Sequence, residues 1–173
     1  EIQFRKMQDT LHKLFKKYDF DDELNRSDFD HKLQKIKMMT IRQVQKEDNL
    51  ALARMIRGVF EEFNAPIAGT VYSDPTTDEL YELFQIKKAV LWVAEENKNM
   101  LGCCGIYPTK GLPADVAELV KFYLPKESRG KGLGKILMEK SIDSAREFGY
   151  SNIYIESMPE FSKAVSIYEK QGF

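Results

Sequence analysis

The fold is decided by residues 125–135, Pro-Lys-Glu-Ser-Arg-Gly-Lys-Gly-Leu-Gly-Lys, which join a strand-like run at 117–124 to a strongly helical one. N–H groups in the first turn of a helix lack intrahelical partners and carry the positive end of the helix dipole, so they bind anions. Glycines without Cβ atoms let the chain wrap such an anion closely. The loop is therefore predicted to bind a pyrophosphate through Arg129, Gly130, Lys131, Gly132, Leu133, Gly134 and Lys135.

Positive charge is concentrated around this loop. Between Lys121 and Lys140 there are six Lys or Arg and two Glu, a local excess of +4 in a chain whose net charge is −1. A Walker loop is excluded, because neither Gly-Lys pair is followed by Ser or Thr. A Rossmann loop is excluded as well, because the glycines stand at alternate positions. A different nucleotide loop is expected.

Two motifs resemble the GNAT superfamily of N-acetyltransferases. The segment 129–134, Arg-Gly-Lys-Gly-Leu-Gly, is similar to its R/Q-x-x-G-x-G/A signature, and Pro125 stands four residues earlier. The segment 164–173 resembles its A-x-x-x-Y-x-x-x-G-F helix. The resemblance covers residues 39–173. It implies an α/β (α+β) fold with a mixed central sheet splayed between the fourth and fifth strands, and acetyl-CoA as cosubstrate.

Hydrophobic periodicity predicts alternating strands and helices after residue 39. Strands are expected at 40–44, 90–95, 101–107, 117–124 and 152–156, with a hairpin turn at 97–99. Helices are expected after an N-cap at Asp48, from a capping box at 76–79 to Gln85, and over 162–171. A further helix is expected to end at Gly149; its predicted inner face is Leu133, Ile136, Leu137, Ala145 and Phe148.

Residues 1–38 are predicted to be a helical extension or the tail of an upstream domain, and 39–173 the acetyl-CoA-binding domain. Two amphipathic helices flank an acidic turn with the spacing of a calcium loop, but Leu24 stands where glycine is required, so a solvated turn is preferred. Family members continue past Gly-Phe into two further strands, so either the chain is incomplete or another chain covers the sheet. The calcium-loop positions are Asp19, Asp21, Glu23, Asn25, Ser27 and Asp30.

Composition narrows the class of protein. A chain of 173 residues with 43% hydrophobic and 31% charged residues is typical of one soluble globular domain. No apolar run reaches the roughly 18 residues that span a bilayer. Adjacent Cys103 and Cys104 favour a reducing cytoplasm, because a disulfide between neighbours is strained. His12 and His31 lack zinc-site spacing, so no metal is expected, and the pyrophosphate loop accounts for the basic patch better than nucleic acid does.

The resemblance also assigns the donor site. It implies that the pantetheine arm pairs with the backbone of Phe122, Tyr123 and Leu124, whose side chains are expected to fill the core. An Asn that commonly contacts the cofactor is replaced by Phe161. Ser162 is the expected partial substitute.

Acetyl transfer to an amine requires a base, stabilisation of the carbonyl oxygen, and a proton for the departing thiolate. The resemblance implies Tyr168 as the proton donor, although a tyrosine at this helical spacing is more often a core residue. Glu118 is the candidate base, since several members carry a glutamate there, with a strand-end ion pair as the alternative. Other members use another base or none; Glu156 is a weaker candidate.

These observations predict an acetyl-CoA-dependent N-acetyltransferase that acts on a primary amine of a small molecule or a protein by direct attack. The alternative is a catalytically silent module that binds acyl-CoA and transmits its occupancy through the N-terminal helices. The acceptor pocket is expected near residues 60–75, where Glu61, Glu62 and Asp74 would attract a cationic amine. A homodimer through the N-terminal helices remains open.

Overall fold

A computed structural model describes residues 39–161 and residue 168. The helices, the acidic turn and the calcium-loop alternative predicted within residues 1–38 lie outside the described residues, so the domain boundary stays a prediction. Ser162 and the predicted last helix, apart from Tyr168, also lie outside them.

A five-stranded sheet whose strands follow chain order forms the centre of the described region. The second and third strands are antiparallel, as are the third and fourth, whereas the fourth and fifth are parallel. This mixed sheet with flanking helices confirms the predicted α/β class. The strands are β1 (Met39–Gln43), β2 (Val90–Glu96), β3 (Asn99–Tyr107), β4 (Val116–Tyr123) and β5 (Asn152–Tyr154).

Helices cover both faces of the sheet: α1 (Asn49–Glu62) and the single-turn α2 (Leu80–Leu83) on one, and α3 (Leu133–Glu147) on the other. Alternation along β2 explains this division, since Leu91 and Val93 belong to the core that includes residues of α1, whereas Trp92 between them donates to Ser144 of α3 at 3.0 Å. None of the helices in the part of the chain that the structure describes has the length and apolarity to cross a bilayer.

The turn between β2 and β3 is tighter than predicted. Asn97 and Lys98 alone connect the strands, with φ of +52° and +65°. Positive φ at both positions is what a two-residue hairpin turn requires, because it matches the twist of the strands.

The predicted cap of α1 has the right position but a different chemistry. Asp48 precedes α1, yet its carboxylate caps no helical N–H group. It accepts instead from the Gln45 amide at 2.7 Å and from Arg42 at 2.6 and 2.8 Å. The Asp48 side chain that the sequence pattern assigned to the helix end is therefore used in a partly buried ion pair with Arg42.

The capping box predicted at 76–79 is wrong. Asp74 caps a 3-10 turn, Pro75–Asp78, by accepting from the Thr76 amide at 2.9 Å. The Thr77 hydroxyl is buried and donates to the Val71 carbonyl oxygen at 2.7 Å. Because Pro75 favours an early turn, α2 does not begin until Leu80.

The helix α3 ends as predicted, since Gly149 follows it with φ +80°. The buried face of α3 differs in part from the predicted one. Ile136 and Phe148 are only half-buried, and Met138, Ser141 and Ser144 are buried in addition to the predicted residues. The buried residues of α3 are Leu133, Leu137, Met138, Ser141, Ser144 and Ala145.

Candidate active site

The sheet opens between β4 and β5. β4 pairs with β3 as far as Tyr123, but with β5 over three residues only, the last being Glu118 opposite Tyr154. Beyond Glu118, no described strand pairs with this edge of β4, and the predicted splay is confirmed. The open edge can accept a ligand that has amide partners, although the carbonyl oxygen of Leu124, just after β4, already accepts from Arg129. The pairing predicted for residues 122–124 stays a prediction.

The loop after β4 has the geometry of an anion site. Gly130 and Gly132 have φ of +73° and +80°, and Gly132 begins α3 without a side-chain cap. A Cβ atom added at either glycine would meet nothing within 4 Å, so the space beside the loop is open. Gly134 differs, because its added Cβ would lie 3.4 Å from Phe122 Cζ. The first two glycines thus shape the loop, and Gly134 lets α3 approach β4.

Arg129 anchors the loop to α1. Its Nη1 and Nη2 donate to the Glu62 carboxylate at 2.7 and 2.8 Å, and its Nε donates to the Leu124 carbonyl oxygen at 2.9 Å. The guanidinium also lies 4.8 Å from the ring centroid of Phe63. Arg129 is therefore fixed in a bidentate ion pair, and it contributes shape to the loop.

The lysines of the loop also have protein partners. Lys131 donates to the Glu127 carbonyl oxygen at 2.6 Å, and Lys135 lies 3.8 Å from Glu139. Both lysines are exposed. The backbone N–H groups at the start of α3, together with the long-range field of these cations, are the features that favour an anion here.

The side chains of residues 122–124 pack, as the sequence predicts. Phe122 contacts Tyr168, with ring centroids 5.9 Å apart, and Tyr123 lies 5.9 Å from Phe60 and 6.4 Å from Phe161. Phe161 lies 5.5 Å from Phe60 and completes this aromatic cluster.

Glu118 lies where β4 and β5 begin to part. Its carboxylate accepts a hydrogen bond from the Thr109 hydroxyl. Among residues 39–161 and 168 no ion pair includes Glu118, so the alternative of a strand-end ion pair finds no support there. Glu156, the weaker candidate base, is exposed and lies two residues beyond the end of β5.

Tyr168 is buried, with 7% of its surface exposed, and stacks at an angle against Phe122. Burial raises the pKa of its hydroxyl above the usual value. The phenol consequently keeps its proton at neutral pH, and its role as proton donor stays a prediction.

The three acidic residues expected to attract an amine are used differently. Glu61 accepts from the Tyr72 hydroxyl at 2.8 Å, and Glu62 is held by Arg129. Asp74 caps the turn before α2 and interacts electrostatically with Lys121 of β4. Sequence reasoning overlooked Lys121; the available signal was a break in the alternation of β4, where polar residues stand at 118 and 121.

The cysteines are buried thiols. Burial raises the pKa of Cys103 to about 12, so it is a poor nucleophile, and its Sγ donates to the Lys121 carbonyl oxygen at 3.0 Å. No three His, Cys, Asp or Glu side chains within the described ranges are arranged to hold a metal ion.

Comparison with known proteins agrees with this geometry. The chain is 36% identical over 134 residues to an uncharacterized N-acetyltransferase of Escherichia coli, YjgM, covering 77% of this chain and 80% of that one. A GNAT-family acetyltransferase from Staphylococcus aureus shares the fold with a TM-score of 0.69 at 22% identity, over 78% of this chain and 82% of its own.

A second structure, a predicted acetyltransferase from Clostridium acetobutylicum solved with acetyl-CoA, has a TM-score of 0.63 at 19% identity, over 79% of this chain and 90% of its own. The family model of the acetyltransferase (GNAT) family matches residues 56–173. The splay between β4 and β5 and the glycine loop lie within that match. The chain therefore belongs to the GNAT family of acetyltransferases.

Proposed function

We propose that this protein transfers the acetyl group of acetyl-CoA to a primary amine of a small molecule or a protein by direct attack. One observation carries the proposal: β4 loses its β5 partner after Glu118 and runs directly into a turn that opens α3 with two left-handed glycines. An unpaired strand edge beside an anion site suits a donor that has amide groups in its arm and a pyrophosphate at its end.

In the proposed complex the donor is held mainly by backbone. The edge of β4 at residues 122–124 pairs with the amides of the pantetheine arm, and the N–H groups of residues 129–135 bind the pyrophosphate. Ser162, expected to assist on the opposite side, belongs to the proposal only as a sequence-based expectation.

The reaction assigns one task to each polar group. Glu118 removes a proton from the acceptor ammonium group, directly or through water, so that the amine nitrogen can attack the thioester carbon. A C–N bond forms and the C–S bond breaks, while backbone N–H groups of β4 stabilise the charge on the carbonyl oxygen. The nitrogen releases its second proton to water as the amide forms, and Glu118 later returns its own proton to solvent. Tyr168 donates its proton to the departing thiolate and is later reprotonated from solvent.

The test separates catalysis from binding. Free CoA release is measured with a panel of amines, and CoA affinity is measured by calorimetry. Glu118→Gln is expected to lower kcat about 10²- to 10⁴-fold, the range typical of a lost general base. Tyr168→Phe is expected to lower kcat as well, and both variants retain CoA binding. Matched controls are Glu160→Gln and Tyr154→Phe, which change exposed side chains that have no assigned role.

The catalytically silent module makes different predictions. It binds CoA with the same loop, but no amine in the panel is acetylated. If Glu118→Gln and Tyr168→Phe both leave turnover of every accepted amine unchanged, the proposed chemistry is falsified while the binding function survives.

The expected cytoplasmic location agrees with the two buried free thiols. Whether the protein is a homodimer is decided by its mass in solution.

A further inference from the structure

β4 contains one extra residue near Lys121. Cys103 is opposite Tyr123 and Gly105 is opposite Val120, so a two-residue step on β3 faces a three-residue step on β4. Lys121 has φ +52°, a left-handed conformation that few non-glycine residues adopt, and Cys103 donates to its carbonyl oxygen. Such bulges re-aim side chains and recur beside active sites.

The re-aimed lysine faces carboxylates from two elements. Its charge interacts with Asp74, which caps the turn before α2, and with Glu118, three residues earlier in β4. Val120 and Tyr123 on either side of it pack against the core that includes Phe60 of α1. Simple alternation does not fix the side of Lys121, because Lys121 and Phe122 together oppose Cys104 at the bulge. Its charge interacts with Asp74 and with Cys103, which belongs to the core on the α1 side, so the ammonium group lies on that side of the sheet, near the proposed base.

The ammonium group of Lys121 has no direct partner in the described region. It is only partly exposed, and burial lowers its pKa, although Asp74 and Glu118 oppose that shift. Within residues 39–161 and 168 it forms no hydrogen bond or ion pair, whereas Arg129 is paired with Glu62. Desolvating an ammonium group without a hydrogen-bonding anion costs free energy, so a ligand anion at this position is stabilised.

We infer that the acceptor carries a carboxylate beside its amine and that Lys121 binds this carboxylate, an inference that rests on the proposed function. The amine then lies toward Glu118 and the carboxylate toward Lys121. Amino acids and amino-acid derivatives with a free carboxylate are the class of acceptor that has both groups.

The charges of the site favour a carboxylate over a phosphate. Asp74 and Glu118 supply two negative charges and Lys121 one positive charge. An acceptor with one ammonium group and one carboxylate complements this arrangement, because the ammonium balances the extra acid. A doubly charged phosphate would add to the repulsion from both carboxylates.

The test uses pairs of acceptors that differ only in the carboxylate: amino acids and their carboxamides. For each pair the ratio of kcat/KM, carboxylate over carboxamide, is compared between wild type and Lys121→Met. This comparison cancels the intrinsic difference in amine basicity. The ratio is expected to fall about ten- to a hundredfold in Lys121→Met, mainly through KM, as for the loss of one charge-assisted hydrogen bond. Lys121→Arg is expected to retain most of the ratio.

Lys110→Met, which removes an exposed lysine from the β3–β4 connection, is the matched control and keeps the wild-type ratio. An unchanged ratio in Lys121→Met overturns the inference while leaving the proposed function intact. If wild type acetylates no amine, the proposed function fails, and equilibrium binding of the same pairs to CoA-saturated protein decides the inference. Absence of binding, or binding that Lys121→Met does not weaken, overturns it.

Discussion

The ion pair between Arg129 and Glu62 yields a prediction whose sign distinguishes two ways of binding an anion. If Arg129 holds the loop in shape, Glu62→Gln weakens CoA binding, even though the change removes a negative charge near the loop. If Arg129 instead binds phosphate as a mobile cation, Glu62→Gln releases it and tightens CoA binding. The observed bidentate geometry, with the added hydrogen bond to Leu124, favours the first outcome.

The magnitude follows from the contacts. The two side chains are 33% and 32% exposed, so their bidentate pair contributes about 1 kcal/mol. The hydrogen bond to Leu124 contributes about 1 kcal/mol and the contact with Phe63 about 0.5 kcal/mol. Arg129→Gln is thus expected to lower the free energy of unfolding by about 2 kcal/mol, and Glu62→Gln by about 1 kcal/mol.

Urea unfolding followed by the fluorescence of Trp92, the single tryptophan, measures these losses. The hydrogen bonds from Arg129 lower the pKa of Glu62, so the stabilisation is complete above the unfolded pKa and disappears as the pH falls through the folded pKa. Wild type and Glu62→Gln therefore converge in acid.

Calorimetry at neutral pH measures CoA affinity, which is expected to fall about three- to tenfold in Glu62→Gln, or about 1 kcal/mol. Asp143→Asn, which breaks an exposed pair with Arg146 near the other end of α3, is the control for the loss of one negative charge. Tighter CoA binding by Glu62→Gln than by wild type would refute the reasoning.

Three other perturbations follow from the described contacts. Gly132 and Gly69 both have left-handed backbone conformations, with φ of +80° and +72°. Replacing either by Ala is therefore expected to lower the free energy of unfolding, measured in urea, by about 1–2 kcal/mol. Calorimetry should show weaker CoA binding only for Gly132→Ala. Asp48→Asn is expected to lose about 1–2 kcal/mol, since it removes the bidentate partner of Arg42 while Glu95 still balances the Arg42 charge. Burial alone would raise the pKa of Asp48, but hydrogen bonds from Arg42 and the Gln45 amide lower it on balance, so wild type should lose stability below about pH 4 more steeply than this variant. In Gly105→Ala the added methyl group would lie 2.7 Å from the carbonyl oxygen of Val90 in β2, so the free energy of unfolding is expected to fall by about 1–3 kcal/mol. An unchanged urea midpoint would show that β2 and β3 are not packed this closely at Gly105.

Local patterns in the sequence predict the strands, α3 and the glycine loop, because these depend on residues close together in the chain. The cap predicted at Asp48 fails because its side chain has an alternative to the helix end, the half-buried Arg42 of β1, and the contact with Arg42 prevails. The capping box at 76–79 is displaced by a local competitor, Asp74, which caps the turn at Thr76. The anchoring of Arg129 by a residue 67 positions away has no local signature at all.

The bulge at Lys121 is a feature of the site that the sequence pattern does not predict. A bulge depends on the register between β3 and β4, which the sequence of β4 alone does not specify. The proposed roles of Glu118 and Tyr168 follow from a family resemblance, whereas the left-handed conformation of Lys121 becomes evident only in the folded backbone.

The splay between β4 and β5 has a consequence for how such a protein diversifies. In the proposed function the donor is recognised by main-chain groups, which nearly every substitution preserves. The proposed acceptor faces side chains instead, among them Asp74, Glu118 and Lys121. Mutations can therefore change the acceptor without loss of the donor, so a lineage carrying this sheet is free to explore new substrates while its acyl source stays constant.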